Sequence, residues 1–146
     1  MSFRGQFEHS LDAKDRLTVP SKFRAALADG VVLLKGLHPS VWVFSPDGYE
    51  RFTERFLAEL SPLGSRGRDM HLYFGANSFD EKLDSAGRIH LPKKLIEHAG
   101  LSEGPAVVVG AEDRFEIWSQ DGWEKQDKRM DSEIADIAES LATEGG

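Results

Sequence analysis

Two sets of residues have the types and spacing to do chemistry: Asp12, Arg16 and Pro20, and again Asp84, Arg88 and Pro92, both in the frame Asp-x-x-x-Arg-x-x-x-Pro. An arginine at a turn presents a planar fork of donors that can grip a phosphate or pair in bidentate fashion with a guanine edge. A carboxylate four residues earlier can accept from that guanidinium or from the amides of the turn, which fixes the direction of the fork. Arg16 and Arg88 are therefore candidate DNA contacts, and Asp12 and Asp84 candidate positioning groups. The same spacing also suits a structural clip that closes the turn and meets no ligand. Arg4, Lys14, Lys22 and Arg24 surround the first frame and join the candidate DNA-binding set; with Arg16 they oppose Glu8, Asp12 and Asp15 over residues 1–24. Lys93 and Lys94 hold similar places in the second copy, where solvated surface lysines explain them equally well.

Enzymatic chemistry finds little to work with. His9, His38, His71, His90 and His98 show no His-x-x-x-His pairing for a metal, no glycine loop is built to cradle phosphate, and cysteine is absent. Asp12 with Asp15 could imitate a catalytic carboxylate pair, but solvated turn residues account for both. The expectation is a protein with no metal, no cofactor, no small-molecule substrate and no catalysis.

The elements that must hold these turns come from an internal repeat. A shift of 72 places Phe7, Leu11, Asp12, Arg16, Pro20 and Lys22 on Phe79, Leu83, Asp84, Arg88, Pro92 and Lys94. A shift of 74 then places Gly36, Ser45, Asp47 and Gly48 on Gly110, Ser119, Asp121 and Gly122. Two ordered sets of matches at nearly constant offset imply duplication. In each copy a strand (near 7–11 and 79–83) enters a polar turn, and alternation after the arginine predicts a second, half-buried strand. Gly87 supplies the positive φ such a turn needs, and Asp15 is one of the few other residue types that tolerate it. Short helices follow at 21–27 and 93–99, then strands near 31–34, 41–44, 106–110 and 115–118, then capped helices near 46–60 and 120–141. Pro62, Gly64 and Gly67 break the chain before a short helix at 68–74. This divides the sequence into a first repeat (5–50), a helical connector (51–76), a second repeat (77–124) and an acidic C-terminal helix and tail (125–146). A half with four short strands exposes apolar sheet by itself, so the expected fold is α+β, with two copies closing one barrel about a pseudo-twofold axis.

With 146 residues one fused globule is expected. No apolar run reaches the length of a bilayer span and residues 1–6 lack the apolar stretch of a signal peptide, so a cytoplasmic protein is expected. The net charge of −7 argues at long range against a nucleic-acid partner, but its distribution matters more: residues 119–146 carry eight acidic side chains against three basic ones. Met130, Ile134, Ile137 and Leu141 form an amphipathic seam along the last helix that must pack on its own barrel or on a neighbouring subunit.

Over about 3–130 the chain resembles the MraZ family, bacterial transcriptional regulators with two tandem swapped-hairpin domains related to those of AbrB. The resemblance rests on the segments 11–20 and 83–92, supported by His98-Ala99-Gly100-Leu101 and Phe115-Glu116-Ile117-Trp118. It implies a ring-shaped homo-oligomer, nucleoid-associated, that binds double-stranded DNA at short direct repeats near cell-division and cell-wall genes, its own promoter included, and acts as a repressor. A ring would engage successive boxes at once, which makes up for the few contacts each subunit can offer. The family usually has glycine before the arginine; Asp15 here places an extra carboxylate beside Arg16, with Lys14 its obvious partner. An AbrB-like interaction module or antitoxin is the competing reading.

Overall fold

Strand, turn, strand and short helix recur in the order the repeat sets out, in a computed structural model that describes residues 2–102 and 104–144. β1 (Gln6–His9) and β5 (Ser78–Glu81) each lead into an aspartate turn, from which β2 (Arg16–Thr18) and β6 (Arg88–His90) emerge. Proline then opens α1 (Ser21–Arg24, continued as a 3₁₀ turn over Ala25–Leu27) and α4 (Lys93–Ala99), where a missing N–H is harmless. Hairpins follow: β3 (Val31–Lys35) with β4 (Ser40–Phe44), and β7 (Ala106–Gly110) with β8 (Phe115–Ser119). Each hairpin runs into a helix, α2 (Pro46–Phe52) or α5 (Gln120–Glu144), and the cap is duplicated too: Ser45 and Ser119 Oγ accept from the amides of Gly48 and Gly122, both at 3.0 Å. Between the copies, α2 passes through a π-helical turn (Thr53–Leu57) to α3 (Ser65–Ala76).

Six strands form one antiparallel sheet in the order β1-β7-β8-β4-β3-β5, and β2 with β6 form a separate ribbon. Exchanging the copies turns β1-β7-β8-β4-β3-β5 into its own reverse, so the topology has the expected pseudo-twofold symmetry. The register locates the axis. It passes between Leu17 and Ile89 in the ribbon, and between Trp42 and Glu116 in the sheet, the pairs whose members exchange with each other. The first strand of each copy is donated to the other: β1 pairs with β7, and β5 with β3.

Three expectations change. Among the described residues the hydrogen bonding gives an open sheet with β1 and β5 at its ends, not a closed barrel. The ribbon strands are three residues long, and Pro20 and Pro92 beyond them have no N–H with which to extend a ladder. The counterpart of Gly36 is Ala111 and not Gly110: Gly36 N–H donates to Ser40 O, Ala111 N–H to Arg114 O, and the first hairpin loop is one residue longer. Gly67 does not interrupt the chain but lies inside α3, where the Ser61 backbone packs so close that no β-carbon would fit.

One face of the sheet and the ribbon enclose the main core, which includes Leu17, Val19, Phe23, Leu33, Val43, Ile89, Leu91, Val108, Phe115 and Ile117. Alternate residues of the same strands face outward. On the first copy Val32, Leu34, Trp42 and Phe44 are covered by α2, the π turn and α3 through Phe52, Leu57 and Phe74. On the second, among the described residues Trp123 of α5 is the one partly buried hydrophobic packed on Val107, Val109 and Trp118, with the His38 ring 5.8 Å from that of Trp118. The two outer faces are finished unequally.

Candidate nucleic-acid interface

The two aspartate turns are built atom for atom alike. Asp12 Oδ1 accepts from the amides of Lys14 (2.9 Å) and Arg16 (3.0 Å), and Oδ2 accepts from Arg16 Nε at 2.8 Å. Asp84 Oδ1 accepts from Ala86 and Arg88 amides, both at 2.9 Å, and Oδ2 from Arg88 Nε at 2.8 Å. The backbone closes each turn as well, with Asp12 N–H to Arg16 O and Asp84 N–H to Arg88 O at 3.0 Å. Each guanidinium is thus held through Nε, and its terminal nitrogens make no hydrogen bond among the described residues. The Arg16 backbone amide, followed by the Lys14 amide and the Arg16 guanidinium, holds the Asp12 carboxyl below its ordinary range; Arg88 and Ala86 do the same for Asp84. Both aspartates are therefore ionised at neutral pH.

The ribbon makes one site of the two turns. Arg16 lies opposite His90, and Thr18 opposite Arg88. Leu17 and Ile89 between them are fully buried, so by strand alternation the other face of the ribbon carries Arg16, Thr18, Arg88 and His90. Arg88 Nη1 comes within 3.9 Å of Asp12 Oδ2, the oxygen already bonded to Arg16. That distance is an electrostatic contact and not a hydrogen bond. Among the described residues no reciprocal contact joins Arg16 to Asp84, so Asp12 faces both guanidinium groups.

The turns are also interlocked across copies. The carbonyl of Asp15 accepts from Leu91 N–H, and that of Gly87 from Val19 N–H, both at 2.9 Å. Asp15 and Gly87 have φ of 60° and 76°, so the first turn adopts the same left-handed conformation without glycine. The contents above them differ. Arg24 donates its Nε to Val19 O at 2.9 Å and its side chain lies across Gly87, where a β-carbon would stand 2.6 Å from that Nε. The counterpart of Arg24 is Ile96, an apolar side chain buried in the core. Glycine at 87 is thus required by its cover as well as by φ, while Asp15 lacks such a cover. Arg24 also acts on His9, whose pKa is lowered first by burial and then by that guanidinium.

The remaining candidates scatter. Lys14 is exposed at the first turn; Lys22 is exposed, with Nζ 5.4 Å from the Phe7 ring and 5.8 Å from Phe23. Arg4 lies beyond the other end of β1, in a solvated ion pair with Glu112 at 3.4 Å. Lys93 and Lys94 are exposed at the start of α4. His90 and Thr18, which share the ribbon face with the arginines, were not among the sequence candidates; the period of two after each arginine is the signal that points to them. Residues 100–104 spell Gly-x-Ser-x-Gly, yet the context is inverted. A nucleophile elbow leads from strand to helix, whereas here Gly100 ends α4 with φ 65° and the segment runs on to β7. No group of three or more metal-ligating side chains occurs among the described residues, and no helix there is long and apolar enough to cross a membrane.

A tandem-repeat α+β chain that exchanges strands about a pseudo-twofold axis, and sets two Asp-Arg turns on a shared ribbon, defines the class. The comparisons identify the family. The family model described as "MraZ protein, putative antitoxin-like" matches residues 2–65 and 74–143. Proteins named Transcriptional regulator MraZ are similar along nearly their whole length. That of Natranaerobius thermophilus is 34% identical over 139 residues, covering 95% of this chain and 96% of the relative. Those of Caldanaerobacter subterraneus subsp. tengcongensis (36% over 137 residues, 94% of each) and Pediococcus pentosaceus (38% over 139 residues, 95% and 96%) are similar too. The chain belongs to the MraZ family. These relatives are named for regulation and not for a catalysed reaction.

Proposed function

We propose that this chain is a sequence-specific DNA-binding transcriptional regulator whose reading surface is the β2–β6 ribbon with its two Asp-Arg turns. One observation carries the proposal: Arg16 and Arg88 both approach Asp12 across a two-stranded ribbon, each bonded through Nε to the aspartate of its own turn and with no hydrogen bond to its terminal nitrogens among the described residues. A two-stranded ribbon fits the major groove, and an oriented guanidinium there pairs with guanine O6 and N7 or grips the flanking phosphate. Lys14 beside the first turn adds a backbone contact without sequence information. Arg24 and Arg4, already bonded within the chain, contribute less than their charge suggests.

In this reading the protein is cytoplasmic and nucleoid-associated. It assembles as a ring-shaped homo-oligomer on short direct repeats upstream of cell-division and cell-wall genes, its own promoter included, and represses them. The family resemblance supplies the promoter setting. The resemblance supplies the ring as well, and the small number of contacts per subunit suits it, since tandem boxes make each later contact intramolecular. The antitoxin-like wording of the family description supports the interaction-module reading as an alternative.

Electrophoretic mobility shift on DNA carrying tandem repeats, in rising salt, tests the proposal. Arg16→Ala should weaken binding to a single box by about 1–3 kcal/mol if the side chain pairs with a base. A phosphate contact would instead lower the salt slope by about one. Equal binding by wild type and Arg16→Ala would remove the ribbon from the interface.

A further inference from the structure

We propose that the outer half of α5 docks, as an acidic and apolar ridge, into a cleft beside α2 of a second copy of the chain. The proposal rests on the self-assembly put forward above and names the surfaces that would carry it.

The ridge is unpartnered in its own chain. α5 is one unbroken helix of 25 residues, about 37 Å long. Its first turns are anchored, with Trp123 Nε1 donating to Gln6 Oε1 at 3.1 Å and its ring packed on Trp118. From Asp131 to Glu144 every residue is exposed: Ile134, Ile137 and Leu141 are 54%, 37% and 61% exposed, in line on one face. Residues 130–144 hold five carboxylates and no lysine or arginine. Two such ridges would repel each other, so like-with-like pairing of α5 is disfavoured and a basic, apolar acceptor is required.

The chain carries one. A cleft of about 420 Å³ lies between α2 with its π turn and the tip of the β7–β8 hairpin; its lining includes Arg51, Phe52, Arg55 and Phe56 on one side and Glu112 and Asp113 on the other. The two acids are engaged already, Glu112 with Arg4 at 3.4 Å and Asp113 with Arg114 at 3.0 Å. Arg51 and Arg55 have no carboxylate within 4 Å among the described residues. Phe56 is half exposed, its ring tilted 48° to that of Phe52 at 5.3 Å, and the Arg55 guanidinium lies 5.4 Å over it, so the cleft sets cations beside an apolar surface. Cleft and ridge match in charge sign and in apolar content.

The pseudo-twofold relation explains why each occurs once. The counterparts of Phe52 and Phe56 in α5 are Gln126 and Met130, so the equivalent face of α5 lacks that aromatic pair, and the first copy has no projecting ridge because its chain folds back through α3. One acceptor and one donor per chain make a head-to-tail contact, which propagates until it closes.

The absence of cysteine makes the test clean. Protein carrying Ile137→Cys is mixed with protein carrying Phe56→Cys and treated with a short bismaleimide. The expected result is a cross-linked dimer in the mixture and none with either variant alone. Cross-linking of Ile137→Cys with itself would overturn the proposal, as would its absence in the mixture. In sedimentation velocity, Arg51→Glu/Arg55→Glu should raise the half-dissociation concentration by at least about tenfold, and Glu133→Lys/Asp136→Lys in the same chain should restore assembly. Unchanged sedimentation with loss of single-box DNA binding would mean the two arginines meet DNA, and would overturn it too. The readouts separate the two proposals: failure of docking leaves Arg16-dependent single-box binding intact, and failure of DNA binding leaves the cross-link intact.

Discussion

Gly87→Ala should be costly, and most of its excess cost should disappear when Arg24 is removed. Two terms add in the wild-type background. The residue sits at φ 76°, where a β-carbon costs roughly 1–2 kcal/mol. The new methyl would also stand 2.6 Å from Arg24 Nε and 2.8 Å from Cζ, and that side chain cannot give way without breaking its bond to Val19 O. A hydrogen bond from a charged donor contributes about 1.5–3 kcal/mol, and partial exposure puts this one near the lower end. Together these give about 3 kcal/mol. In an Arg24→Ala background only the backbone strain is left, so the same substitution should cost roughly 1–2 kcal/mol. The coupling in a double-mutant cycle is then about 1.5 kcal/mol, measured by urea unfolding of the four proteins without DNA. Asp15→Ala, at φ 60° but without an arginine above it, is the control and should show no coupling to Arg24. Additivity of Gly87→Ala and Arg24→Ala within about 0.5 kcal/mol would refute the clamp, because neighbours that collide cannot act independently.

Leu17→Ala or Ile89→Ala, each on the axis and fully buried, should destabilise by about 2–5 kcal/mol in the same unfolding assay without changing the DNA footprint. Asp12→Asn should weaken DNA binding more than Asp84→Asn, because Asp12 faces both guanidinium groups and Asp84 only one; a larger loss at Asp84 in a mobility shift would contradict that. For pH, both carboxyls titrate below their ordinary value when folded, so the unfolded chain binds protons first on acidification. Their stabilisation is complete above about pH 4 and is lost as pH falls through the lower folded values. Thermal melts between pH 5 and 2 should show it, with a shallower decline in the double Asp→Asn variant.

The local elements were legible where a residue type has a single strong use. Asp, Arg and Pro at fixed spacing announced the turns, Ser before Pro46 and before Gln120 announced the helix caps, and six identities at one offset announced the pseudo-twofold axis. What the sequence left open was long-range partnering. Donation of β1 to β7 and of β5 to β3 brings together residues about a hundred apart, or about fifty, by pairing that has no period or motif. For the same reason Lys22 and Arg24 read as neighbours of Arg16, because the chain is short between them; the ribbon carries Arg24 to the other copy's turn. The expectation of a closed barrel rests on a general need to protect sheet edges; the open sheet instead ends on β1 and β5, edge strands only four residues long. Identity alone pairs Gly36 with Gly110, whereas a one-residue difference in loop length, invisible without the ladder, makes Ala111 its counterpart.

The exchange of first strands has a mechanical consequence. The connector around Pro62, Leu63 and Gly64 is fully exposed and is the covalent link between the copies. A protease that cuts there would not release two independent halves, since each fragment would still hold its first strand paired along the outer edge of the other's hairpin. The cut protein is a zipped pair of complementary pieces, able to be made as two polypeptides and reassembled by annealing.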